Sequence, residues 1–431
     1  MSAAALIHGD PWPMLRETMT SFVKTRLAAM MFLNYIIWGS WYVTMNTYLT
    51  STLHFSGTEA GAVFGTTAVA SMVSPFFVGL VADRFFATER VLAALYALSA
   101  VFLVLVTQVT SFGAVYGLML VFCLCYFPTI ALTNSITMQN VPDPGRDFPG
   151  IRVLGTFGWI FINLIVGFMR VEAQATPFLL GAIAAVVMCV YSLVLLPHTP
   201  PPGRGQQMTV RRILGLDALA MMKDRSFLVF VIASILACIP LTFYYSFANP
   251  YLNDVGVVNA AGKMTLGQAS EVGFMLAMPL LFRAISVRGI LLLGLIAWTV
   301  RYLLFAYGNP DAGMWMFYVA ILLHGVCYDF FFVTGQLYTD QEAPVHLRST
   351  AQGFITFVTY GVGMLIGSLL SGSVLDYFST TSATGVTRNW MSFWLSSAFM
   401  AFGIALLVVI FFRTGKKIRA TQGTAEQPVP A

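Results

Sequence analysis

The chain has 431 residues, 58% of them hydrophobic and only 10% charged, with a formal net charge of +5 and a mean hydropathy of +0.78. A water-soluble domain carries roughly 25% charged residues, so this chain cannot cover itself with a solvated surface, and a soluble enzyme or binding module is excluded. Nucleic-acid binding is disfavoured as well, because the basic residues lie between apolar runs rather than in a stripe interleaved with exposed aromatics.

Residues 1–26 carry Asp10, Arg16, Glu17, Lys24 and Arg26 without the basic, apolar and small-residue order of a signal peptide. The first apolar run is therefore expected to be retained as a span. Twelve runs follow, at 27–50, 59–82, 89–108, 112–138, 149–169, 176–196, 226–252, 264–284, 289–307, 314–338, 349–376 and 391–413. Each is near the roughly 20 residues that a helix needs to cross the hydrocarbon. The expected fold is an all-α membrane protein of twelve transmembrane helices in two six-helix halves. A short N-terminal segment (1–26) precedes a first bundle (27–196), a linker (197–225), a second bundle (226–413) and a tail (414–431). The linker opens with Pro200, Pro201, Pro202 and Gly203 and holds Arg204, Arg211, Arg212, Lys223 and Arg225.

Basic residues predict the sidedness. With both termini cytoplasmic, Arg170, Lys263 and Arg388 fall outside and Arg152 and Arg301 within spans, while the other eighteen of the 23 Lys and Arg residues face the cytoplasm. That asymmetry is the positive-inside pattern, and one span more or fewer would scramble it.

At the end of the second run, Gly79-Leu80-Val81-Ala82-Asp83-Arg84-Phe85 resembles the loop signature of the major facilitator superfamily. Six runs, a basic linker and six more runs are likewise that superfamily's plan. An Asp83–Arg84 pair can cap helix ends and latch one gating state, although it can also be an ordinary charged turn. The matching loop of the second half, Arg283 to Arg288, lacks the Asp-Arg core.

Charge at membrane depth is costly and by default marks function. Arg152, Glu271, Arg301 and Asp329 qualify, with the titratable His324 beside them. On the fifth run, Arg152, Thr156 and Trp159 share a helical face and offer a guanidinium, a hydroxyl and an indole to a flat polar ligand. The alternative is that Arg152 snorkels to the interface. On the seventh, Thr242, Tyr245 and Asn249 line up between Pro240 and Pro250, which are expected to interrupt the helix as in transporters with broken helices. On the eighth, Gln268 and Glu271 face the same way. A carboxyl there suits proton binding and release, because low-dielectric surroundings disfavour the charged form.

On the tenth, His324 and Tyr328 share a face, while Asp329 lies about 140° round the helix from His324. Asp329 is expected either to couple protons or to pair with Arg301 on a neighbouring helix, and His324 either to meet ligand or to be a satisfied interior histidine. On the eleventh, Gly363, Gly367 and Ser371 permit close helix packing. Cys123, Cys125, Cys189, Cys238 and Cys327 read as buried small hydrophobes. No phosphate loop, zinc pair or nucleophile turn occurs, so no enzyme activity, metal or cofactor is expected.

Several segments in order carry a more specific likeness: Trp38-Gly39-Ser40-Trp41, Tyr126 to Asn134, Asp147 to Thr156, Gly215 to Ala218, Gln268 to Glu271, Tyr328 to Phe331 and Ala351 to Gly353. From about residue 27 to 413 the chain resembles the nucleoside:proton symporter family of the major facilitator superfamily. The resemblance implies nucleoside import across a bacterial inner membrane, with protons flowing inward. It also implies that Arg152, Thr156, Trp159, Gln268 and Glu271 contact substrate and that Asp329 matches the family's tenth-helix Asp. Where the family pattern has Gln and Asn on the seventh span and Tyr and Phe on the tenth, this chain has Thr242 and Tyr245, then His324 and Tyr328.

The expectation is thus a proton-coupled nucleoside symporter whose substrate contacts are Arg152, Thr156, Trp159, Thr242, Tyr245, Gln268, Glu271, His324 and Tyr328. Glu271 and Asp329 would couple protons, and Asp83 and Arg84 would gate. Its partners would be a nucleoside, protons and the lipid bilayer, without nucleic acid and with no oligomer required. A carrier of another polar solute, such as a sugar or modified nucleoside, and a nucleoside receptor that moves nothing are the alternatives.

Overall fold

The computed structural model describes residues 13–77, 86–200, 216–382 and 385–418. The Asp83–Arg84 pair lies outside these residues. The first half holds α1 (Pro13–Tyr42), α2 (Met45–Ser51), α3 (Gly57–Phe77), α4 (Thr88–Val106), α5 (Phe112–Asn140), α6 (Pro144–Met169) and α7 (Thr176–Val194). A 3-10 segment, Leu216–Lys223, leads into the second half. There α8 (Arg225–Asp254), α9 (Ala260–Ala284) and α10 (Val287–Tyr307) are followed by α11 (Met314–Glu342). Next comes α12, built from Arg348–Thr356, Phe357–Gly363 and Met364–Tyr377, and then α13 (Trp390–Phe411). Among the described residues nine helices are long and apolar enough to cross a membrane. The helices α1 with α2, α3 and α9 occupy the other three predicted runs.

Local chemistry starts the helices where the sequence breaks. Asp143 accepts from the Arg146 backbone N–H at 3.2 Å with Pro144 in the first turn, and Asp224 accepts from Phe227 N–H at 2.8 Å. Ser286 and Asn389 cap α10 and α13 in the same way. Such caps satisfy N–H groups that have no intrahelical acceptor.

Three features depart from the sequence reading. The first span is divided at Val43 and Thr44, so α2 is a separate short helix. Pro240 and Pro250 do not interrupt the seventh span; α8 runs through both for 30 residues. A neighbouring helix meets α8 there, as Tyr302 donates its hydroxyl to the Pro240 carbonyl, and packing by neighbours is one of the supports that let proline persist within membrane helices. The irregular backbone lies instead in the tenth and eleventh spans, where Asp329–Val333 and Phe357–Gly363 are π-helical. Such segments occur often at functional sites. A short antiparallel hairpin, β1 (Ser379–Ser382) with β2 (Gly385–Arg388), joins α12 to α13.

The halves meet at the end of the bundle away from the linker. There α3 packs on α12, α2 on α8 and α6 on α9. Glu172, 4% exposed, accepts from Asn249 at 2.7 Å, Asn253 at 2.9 Å and the Ala261 backbone at 3.1 Å. Thr47 donates to Asn249 at 2.6 Å, and Asp376 accepts from the backbone N–H groups of Gly57 and Thr58 at 2.6 and 2.8 Å. On α12, Gly363 and Gly367 lie against Cys238 and Thr242 of α8, the close approach expected of their spacing.

Candidate functional site

Between the halves lies a cavity of about 530 Å³, within the range of ligand pockets. Its first-half wall comes from α1 (Tyr35, Trp38, Tyr42), α3 (Thr67, Ser71, Ser74), α5 (Phe127, Asn134) and α6 (Arg152, Thr156, Trp159). Its second-half wall comes from α8 (Tyr245), α9 (Gln268, Glu271), α11 (His324, Tyr328) and α12 (Thr356, Tyr360, Met364). Asn134, Arg152, Thr356 and Ser74 sit toward the helix ends nearest the linker, so the cavity extends to that side.

The three α6 residues do share one face. The guanidinium of Arg152 lies 4.3 Å from the Tyr35 ring centroid, a cation–π contact that turns it along the cavity wall. Trp159 is held by Asn163, whose amide donates to the Trp159 carbonyl at 3.0 Å and to the Gly39 carbonyl at 3.1 Å. Behind this wall Asn34 accepts from Tyr96 at 3.0 Å on its side chain and from Tyr126 at 2.7 Å on its carbonyl, tying α1 to α4 and α5. Buried networks of this kind fix a helix's rotation when every member is satisfied.

An aromatic layer closes the cavity toward the joined end. Trp159 meets Trp38 edge-on at 5.4 Å and Tyr42 at 5.6 Å. Tyr42 meets Tyr245 at 5.8 Å across the halves, and Tyr245 meets His324 at 5.9 Å. Tyr42, Trp159 and Tyr245 also border a second space of about 10 Å³, at the limit for one water molecule.

Glu271 lines the second-half wall with its Oε2 4.0 Å from His324 Nε2. Ser270 accepts from the Gly325 N–H at 3.1 Å and joins α9 to α11 at that level. The Tyr328 and Tyr360 hydroxyls bond to each other between the two π-bearing helices. Arg301 donates to His324 Nδ1 at 3.0 Å and stacks 3.5 Å from the Tyr244 ring centroid.

Of the predicted substrate contacts, Arg152, Thr156, Trp159, Tyr245, Gln268, Glu271, His324 and Tyr328 all line the cavity. Thr242 does not. It is fully buried and bonds back to the Cys238 carbonyl at 2.6 Å, because its side of α8 is the one that packs on Gly367 of α12. Asp329 is fully buried outside the lining, and neither carboxyl oxygen has a hydrogen-bond partner. The Arg301–Asp329 ion pair, one of the two alternatives for Asp329, does not form; the guanidinium bonds to His324 and lies on the Tyr244 ring.

Sequence reasoning passed over Tyr35, Trp38, Tyr42, Ser71, Asn134 and Tyr360 as site residues. A signal for the first three was present, since positions 35, 38 and 42 follow the i, i+3, i+7 pattern of one helical face.

Comparison with known proteins agrees with this architecture. The family described as "Nucleoside H+ symporter" matches residues 21–417. "Putative nucleoside transporter YegT" of Escherichia coli (strain K12) is 43% identical, over 90% of this chain and 93% of its own. The xanthosine permease of the same organism is 31% identical over 90% and 95%. Among solved structures, nucleoside transporter NupG superposes with a TM-score of 0.83 at 29% identity, covering 91% of this chain and 99% of that one.

Proposed function

The chain belongs to the nucleoside H+ symporter family, and on that premise we propose that it carries nucleosides inward with protons by alternating access between its halves. The observation that carries this reading is the placement of the Glu271 carboxyl in the cavity wall. It stands 4.0 Å from His324 and shares the cavity with the Arg152, Thr156 and Trp159 face. A carboxyl that borders both the substrate space and a low-dielectric interior can exchange its proton in step with substrate binding.

In this reading the Trp159, Trp38 and Tyr245 rings stack on the base, where each such contact is worth about 1–3 kcal/mol. Arg152, Thr156, Gln268, His324 and Tyr328 supply hydrogen bonds to base and ribose. Asp329, buried without a partner, is the second proton position, since a bare carboxylate in such surroundings is costly. The basic residues favour cytoplasmic termini in a bacterial inner membrane, so the cavity faces inward and the Glu172 clasp lies on the outside. Asp83 and Arg84 remain the proposed inner latch.

The test is uptake of labelled nucleosides by proteoliposomes under an imposed pH gradient, acidic outside. Gradient-driven accumulation of at least one nucleoside is expected. Accumulation of none across a purine and pyrimidine panel, or equal uptake without a gradient, would overturn the reading. Competition by sugars alone would favour a carrier of another solute.

A further inference from the structure

We propose that Arg301, which lies outside the cavity lining, is a positioning residue. It fixes the tautomer of His324 and so makes that imidazole a permanent hydrogen-bond donor to the substrate. The inference rests on the transport reading above and adds to it the residue that sets one substrate contact.

Arg301 projects from the middle of α10 and is fully buried. Its Nη1 lies 3.0 Å from His324 Nδ1. A guanidinium has donors only and keeps its charge in proteins, so Nδ1 must accept with its lone pair. An imidazole that accepts at Nδ1 is neutral and carries its hydrogen on Nε2. That nitrogen is the one 4.0 Å from Glu271 Oε2, on a side chain that lines the cavity. The separation is beyond a hydrogen bond, which leaves the Nε2–H free for an acceptor on a nucleoside, such as a base carbonyl, a ring nitrogen or a ribose oxygen.

The rest of the Arg301 environment agrees with a positioning role. Its guanidinium carbon rests 3.5 Å from the Tyr244 ring centroid, and that ring is 5.2 Å from the His324 ring. Nε and Nη2 are buried without an acceptor, and among the described residues no carboxylate forms an ion pair with Arg301. A buried arginine kept for stability alone would be expected to pair with a carboxylate. Here the charge is directed at one imidazole nitrogen and the Tyr244 face, with the Phe305 ring centroid 5.9 Å away. The titratable groups around His324 are Glu271 on α9, Arg301 on α10, Tyr244 and Tyr245 on α8, and Tyr328 one turn along α11. Of these only Arg301 reaches Nδ1. While that bond holds, His324 cannot take the transported proton, which leaves that task to the carboxyl groups.

The experiment uses the full chain with 15N-labelled histidine in lipid nanodiscs, where the His324→Phe variant identifies the His324 signals among the five histidines. We expect a single Nε2–H tautomer in the unsubstituted protein from about pH 6 to 8, kept by Arg301→Lys and replaced by a tautomer mixture in Arg301→Met. A protonated Nδ1 in the unsubstituted protein would overturn the proposal, and this arm needs no substrate and no variant of Arg301 that folds. In uptake assays Arg301→Met should raise the nucleoside KM about tenfold with a smaller change in kcat, Arg301→Lys should recover most of that loss, and Arg301→Met should add less than about twofold in the His324→Phe background. Equal losses in both backgrounds would mean a structural role only. Absence of uptake by every protein, with the tautomer as expected, would count against the transport reading and leave the tautomer assignment standing.

Discussion

Gly325 and Glu271 are in backbone contact across two helices: a Cβ on Gly325 would fall 2.6 Å from the Glu271 backbone nitrogen and 2.7 Å from the Ser270 carbonyl oxygen. No flexible side chain is there to move aside, so any larger residue must push α9 and α11 apart. The same contact brings the Glu271 carboxyl to His324, one residue before Gly325. Gly325→Ala should therefore lower nucleoside transport by tenfold or more. Overpacking typically costs about 1–3 kcal/mol, so the protein should still be inserted and folded. Uptake rate normalised to membrane-inserted protein checks this, and a normal rate would show that the two helices can separate freely.

Glu271→Gln removes the ionisable group and keeps the size and one acceptor of the side chain. Uphill accumulation driven by a pH gradient should be abolished, while exchange of internal for external nucleoside continues, because exchange needs no net proton movement. Proteoliposome counterflow and gradient-driven uptake, measured on the same preparation, separate the two. Undiminished uphill uptake by the variant would remove Glu271 from proton coupling.

Glu172→Ala would leave the Ala261 N–H and the Asn249 amide without the carboxylate they donate to at the joined end, while the Asn253 amide would keep the Asn249 carbonyl at 2.9 Å. An unsatisfied buried polar group costs about 1–3 kcal/mol, and each 1.4 kcal/mol shifts a two-state population tenfold. The variant should favour the conformation open at that end. Labelling of a cysteine placed near Thr47, in a background lacking the five native cysteines, should quicken by about tenfold or more. Unchanged labelling would mean that the other contacts between the halves keep the end closed without Glu172.

Where the sequence spoke through bulk hydropathy, the structure agrees closely, because the cost of lipid-exposed backbone leaves helices as the available answer. Where it spoke through single residues, agreement depended on which force decided. The α6 face formed as expected because a regular helix fixes the angles between Arg152, Thr156 and Trp159. Asp329 was correctly turned away from His324 by the same rule, yet its partner was not legible, since which side chain Arg301 meets depends on packing between α10 and α11. The π segment at 329–333 holds no Gly or Pro, and Gly363 of the 357–363 segment reads from its spacing as a packing position, whereas the conspicuous prolines of α8 sit within an unbroken helix. Ser71 and Asn134 were passed over because uncharged polar residues are common in spans; Thr66 and Ser99 look alike in sequence and are simply buried.

Thr242 and Tyr245 give the sharpest contrast between spacing and placement. Read as one face, both should meet substrate; in the structure Tyr245 lines the cavity and Thr242 bonds to its own helix, beside Gly367. Thr242→Val keeps the volume and loses a hydroxyl whose main partner is the Cys238 carbonyl, an acceptor already within the helix. Nucleoside KM should stay within about twofold, with a stability loss of about 0.5–1.5 kcal/mol. Tyr245→Ala removes a ring that meets both Tyr42 and His324, so it opens the aromatic layer and withdraws a stacking surface. Its KM should rise by about tenfold or more, in line with the energy of one base–aromatic stack. Measured side by side in one uptake assay, a large KM effect for Thr242→Val together with none for Tyr245→Ala would reverse the assignment of the two residues.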